Sequence, residues 1–67
     1  MDIGRFAQFV ADYKAGRVTN PDAKMLCKKN GLEQGRTYRI VSVTGSGVIV
    51  NGPNGQTAVY PHEFMLV

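Results

Sequence analysis

Ile3, Phe6, Phe9, Val10 and Tyr13 recur at intervals of three, four and seven residues, the spacing of an amphipathic helix with one apolar face. Arg5, Gln8 and Asp12 fall on the opposite side. Asp2 complements the helix dipole at the start, and Gly16 can take the left-handed conformation that ends a helix; a helix is predicted over residues 2–15. Thr19-Asn20-Pro21-Asp22 carries a second set of start signals, a capping side chain followed by a proline in the first turn, where its missing N–H costs nothing. Lys28 and Lys29 suit the negative end of that second helix and Asn30-Gly31 stops it. Wound as a helix, the segment turns Ala23, Leu26 and Cys27 inward and leaves Lys24, Met25, Lys28 and Lys29 off the inward arc.

From Leu32 onward the pattern changes to β-branched and aromatic residues punctuated by glycine, and the period changes from 3.6 to 2. Thr37 to Thr44 reads as a strand whose inward phase shifts by one residue, from Tyr38 and Ile40 to Val41 and Val43, so it should contain a bulge. Gly45-Ser46-Gly47 turns the chain into Val48 to Asn51, and Gly52-Pro53-Asn54-Gly55 turns it again into Gln56 to Tyr60. Pro61 cannot donate to a ladder, so residues 61–64 are expected to form one helical turn before a last strand from Met65 to Val67. The fold class expected is therefore α+β, with two N-terminal helices packed on a four-stranded antiparallel, partly open barrel. Residues 1–67 make one domain, with a helical half (1–31) and a β half (32–67).

Length and charge narrow the functional classes. A chain of 67 residues buries only about 60% of the surface its unfolded form exposes and has room for one core. No apolar run is long enough to span a membrane, and Asp2 and Arg5 interrupt the N-terminal stretch where a secretory leader would be apolar; a cytoplasmic location is expected. The lone Cys27 has no partner for an internal disulfide, which fits a reducing compartment. The formal charge of +3 lies in the first half, where six basic residues face three acidic ones, whereas residues 32–67 are neutral. That asymmetry permits an acidic partner on the N-terminal half.

The motifs Leu32-x-x-Gly35-x-x-Tyr38-x-Ile40, Val48-Ile49-Val50, the Gly52 to Gly55 hairpin and Tyr60-Pro61-x-x-x-Phe64 make the second half resemble the small SH3-like barrels of short bacterial and phage-encoded proteins. The resemblance covers residues 32–67, and the N-terminal helical pair is not part of it. It implies a barrel fold and a phage or mobile-element origin. For function it implies only binding, because such barrels host many unrelated partners. The Trp and acidic loop of the proline-rich-peptide binders have no counterpart in this chain.

Acid/base or nucleophilic catalysis needs titratable groups held together in a cleft, and the supply is one His and one Cys. His62 reads as an exposed turn residue and Cys27 as a small buried hydrophobe, so no catalytic residue is assigned. No set of ligands has metal-binding spacing, and neither Gly45-x-Gly47 nor the Gly52 to Gly55 turn completes a nucleotide-binding motif; no metal or cofactor is expected. Tyr38 and Tyr60 read as core residues in preference to a base-stacking platform. The candidate binding surface is Lys14, Arg17, Lys24, Met25, Lys28 and Lys29. The function expected is that of a small non-enzymatic protein that docks on a host or phage protein and inhibits or adapts it. The alternative is a nucleic-acid-binding domain using the basic helical half. Neither a membrane nor a small-molecule substrate is expected as a partner.

Overall fold

The computed structural model describes residues 2–67. Helix α1 spans Ile3–Lys14 and is followed by strands β1 (Asp22–Met25), β2 (Thr37–Val43), β3 (Val48–Gly52), β4 (Gly55–Val59), a 3-10 turn (Pro61–Glu63) and β5 (Phe64–Leu66). The fold class is α+β: one helix and one antiparallel five-stranded sheet in the order β4-β3-β2-β1-β5, not closed into a barrel.

The first helix forms where the pattern places it. The Asp2 carboxylate accepts a hydrogen bond from the Arg5 N–H at 2.7 Å, satisfying one of the donors that an α-helix leaves without a partner at its start. Phe6 and Phe9 are buried and Val10 and Tyr13 are packed against the core. Ile3, the first residue of that apolar series, is 82% exposed.

The expected second helix does not exist. Residues 22–25 are β1, which lies between β2 and the edge strand β5. Ala23 and Met25 point into the core and Lys24 points out, so the local periodicity is 2. The Met25 N–H donates to the Arg36 carbonyl at 3.0 Å, its carbonyl accepts from the Gly35 N–H at 2.8 Å, and the Leu26 N–H donates to the Glu63 carbonyl at 2.9 Å. Backbone pairing on both sides from distant segments outweighs the helix-start signals at Thr19 to Asp22, which only set local preference. Met25, expected on the solvent side, is 1% exposed, whereas Leu26, expected inside, is exposed, and Cys27 is half-buried. Asn30-Gly31 is not a helix stop but the centre of a two-residue turn. Lys29 and Leu32 exchange both backbone hydrogen bonds, at 3.0 and 2.7 Å, with φ of 47° at Asn30 and 86° at Gly31. Positive φ at both central residues is the reason for an Asn-Gly pair there.

The β half follows the expected order with one more strand than four, because β1 joins it. The bulge in β2 falls between Ile40 and Ser42. It lies within the pairing with β3, with Ile40 opposite Val50 before it and Ser42 and Val43 opposite Ile49 and Val48 after it, while Thr37 to Arg39 pair with β1. β5 returns to pair with β1 through Phe64↔Met25, Met65↔Lys24 and Leu66↔Ala23. The core combines Phe6 and Phe9 of α1 with Ala23, Met25, Leu32, Ile40, Val48, Val50, Val59 and Phe64. Gly47, the turn residue just before β3, stands where a Cβ would collide with the Val59 carbonyl, so the β2–β3 turn approaches β4 more closely than any side chain permits.

Candidate functional site

The six residues expected to form a basic binding surface separate into three groups. Met25 is core. Arg17 and Lys29 are engaged within the chain: Arg17 Nη1 lies 3.6 Å from Asp12 Oδ1, and Lys29 Nζ lies 2.8 Å from Glu63 Oε1. Lys14, Lys24 and Lys28 are exposed and have no carboxylate partner among the described residues. They sit at the end of α1, in the middle of β1 and in the loop after β1, and so do not form a single helix face.

The ion pairs explain which charges remain. Each of the five carboxylates is engaged by a different base: Asp2 by Arg5, Asp12 by Arg17, Asp22 by Arg39, Glu33 by Arg36 and Glu63 by Lys29. The formal +3 therefore resides on Lys14, Lys24 and Lys28.

The most enclosed of these pairs organises the 3-10 turn. The Glu63 carboxylate accepts from Lys29 Nζ and, at 2.9 Å, from the Tyr60 N–H, while the Glu63 N–H donates to the Tyr60 carbonyl at 2.8 Å. Its side chain is 15% exposed. Burial raises the Glu63 pKa, but the hydrogen bonds from Lys29 and Tyr60 and the positive charges of Lys29 and His62 outweigh it and hold the pKa below its ordinary value. The same Lys29 ammonium lies 4.3 Å from the centre of the Tyr60 ring, and the His62 ring lies nearly parallel to Tyr60 at 6.4 Å. Tyr60, expected in the core, is exposed. Tyr38 is half-buried against the core and its hydroxyl accepts from the Glu33 N–H at 2.8 Å. Among the described residues no three His, Cys, Asp or Glu side chains converge in a metal-binding group, and no helix is long and apolar enough to cross a membrane.

A second surface lies on the outer side of β1 and β5. Lys24 has Thr37 of β2 and Met65 of β5 as its cross-strand partners, and neither is charged. The alternation of exposure along β1 carries Leu26 to the same side as Lys24, and that of β5 carries Val67 to the side of Met65. The backbone bonds Leu26 N–H to Glu63 carbonyl and Val67 N–H to Asp22 carbonyl, at 2.9 and 3.3 Å, extend the β1–β5 register to both ends. Three of the large exposed hydrophobic residues, Leu26, Met65 and Val67, thus share one face around Lys24. Met65 also lines a cleft of about 360 Å³ between α1 and β5, with Arg5, Gln8, Phe9, Asp12 and Leu66. Of this face, only Lys24 is among the site residues that the sequence predicts. The signal that points to it is the alternation of residues 22–26, which the helix-start signals obscure.

Comparison of the chain with family models, with curated proteins and with solved structures finds no match.

Proposed function

We propose that this chain is a non-enzymatic binding protein that docks on a partner protein through the outer face of β1 and β5. One observation carries the reading: Leu26, the residue that follows β1, and Met65 of β5, each 44% exposed, flank Lys24 on one side of the sheet. Single exposed hydrophobics are ordinary on a protein surface, whereas apolar side chains gathered on one sheet face mark an interaction surface. The strand order β4-β3-β2-β1-β5, with a 3-10 turn leading into β5, supports reading the scaffold as a small SH3-like barrel, left partly open and covered by α1. Such a protein acts by occluding or adapting its partner in the cytoplasm.

The unpaired Lys14, Lys24 and Lys28 favour a second reading, nucleic-acid binding. Capture from a lysate of the source cells by the immobilised full chain separates the two. A protein retained by the wild type and lost with a folded Leu26→Ser/Met65→Ser variant supports docking on protein. Retained nucleic acid, released steeply with salt because each neutralised phosphate frees a counterion, supports the alternative.

A further inference from the structure

We infer that the occupant of the β1–β5 face is an acidic segment of a partner protein, one that presents apolar side chains to Leu26 and Met65 and a carboxylate to Lys24. The inference rests on the docking reading and adds the chemistry of the partner. Two carboxylates border this face, and each is already engaged: Asp22 by Arg39 Nε at 2.7 Å, with Asn20 Oδ1 accepting from the same guanidinium at 3.2 Å, and Glu63 by Lys29 at 2.8 Å. Lys24 stands between them, flanked across the strands by Thr37 and Met65, and is the one side-chain charge of the face without a counter-charge among the described residues. Lys28, two residues beyond Leu26, is also unpaired and exposed, so the positive field extends past that end of the patch. Covering the apolar residues removes water from around Lys24, and an ammonium taken out of water needs an anionic partner.

The same geometry argues against the other occupants. A second copy meeting this face would add another uncompensated Lys24 and bring no free carboxylate to pair with either, since Asp22 and Glu63 are engaged within each chain. A phosphate backbone would satisfy the lysines and leave Leu26, Met65 and Val67 against a charged strand. An acidic, apolar protein segment satisfies both halves of the surface.

Selection of a random peptide library, displayed on particles, against the immobilised full chain tests this directly. The expected result is enrichment of sequences that combine Asp or Glu with large apolar residues. Synthetic copies of them should lose about tenfold in affinity to Lys24→Glu and a comparable factor to Met65→Ser, with the melting curves of both variants close to that of the wild type. The Lys24→Gln variant, which removes the charge without reversing it, should fall between. Four results would each overturn the inference: no enrichment, enrichment of basic or uncharged sequences, binding indifferent to Lys24→Glu, or concentration-dependent dimerisation through this face. If the lysate capture still depends on Leu26 and Met65 while Lys24→Glu is without effect, docking on protein stands and the acidic partner falls.

Discussion

Lys29 reaches from the turn after β1 to place its ammonium 2.8 Å from the Glu63 carboxylate and 4.3 Å from the centre of the Tyr60 ring, binding the chain segment before β2 to the one before β5. This contact withdraws Lys29 from the basic surface and gives the 3-10 turn a fixed conformation. It also makes the turn sensitive to acid.

Because the folded pKa of Glu63 lies below its ordinary value of 4.5, the ionised carboxylate contributes stability that is fully present above the unfolded value. That contribution is lost as pH falls through the folded one. Chemical denaturation from pH 7 to pH 3 should show stability declining below about pH 5, with the decline shallower in Glu63→Gln. Lys29→Met should cost about 1 to 2 kcal/mol at pH 7, between an exposed and a buried pair. A Glu63→Gln variant with an acid limb identical to that of the wild type would show that the carboxylate is not held by this network.

Phe6 and Phe9 join α1 to the core. Replacing either with Ala should destabilise the domain by about 3 to 5 kcal/mol, a large part of what a domain this small has. A fragment of residues 17–67 should give no cooperative thermal transition near that of the full chain. A fragment that melts like the full chain would show the helix to be an appendage.

Residues 22–26 distinguish strand from helix by the cost of truncation. With Met25 buried and Leu26 exposed, Met25→Ala should cost about 2 to 5 kcal/mol and Leu26→Ala under about 1 kcal/mol. A helix with Leu26 inward requires the reverse order. Denaturant titration of the two variants decides between them.

Much of the fold is legible in the sequence wherever its signals are local. The apolar series from Phe6 to Tyr13, the bulge near Val41 and the turn after Tyr60 are each encoded within a few residues and appear as read, although Val41 itself, read as inward, is exposed at the bulge. β1 is not legible in this way. Its four residues acquire their conformation from Thr37 to Arg39 on one side and Phe64 to Leu66 on the other, the latter some forty residues away. The Asn30-Gly31 pair suits a helix stop and a tight turn equally, and the reciprocal Lys29–Leu32 bonds select the turn. The candidate surface shifts with β1. Lys24 remains exposed, Met25 moves to the core, and Leu26 and Met65 become neighbours of Lys24 through a pairing that no short-range spacing announces.

Gly47 has no room for a side chain beside the Val59 carbonyl. Gly47→Ala should cost about 1 to 3 kcal/mol as β3 and β4 are forced apart. Urea titration should place its midpoint well below that of Gly45→Ala, where a Cβ meets open space. Equal midpoints would show that the two strands part without cost.

Docking through the β1–β5 face is tested most directly by hydroxyl-radical labelling of the full chain, free and in complex with the protein it captures, with methionine oxidation read by mass spectrometry. In the free protein, exposed Met65 should oxidise readily and buried Met25 slowly; in the complex, Met65 should be protected and, in a parallel labelling with an acetyl N-hydroxysuccinimide ester, acylation of Lys24 suppressed, while Lys14 at the end of α1 stays reactive. Unchanged labelling of Met65 and Lys24, with protection confined to Tyr60 and His62, would contradict the account and place the interface at the 3-10 turn.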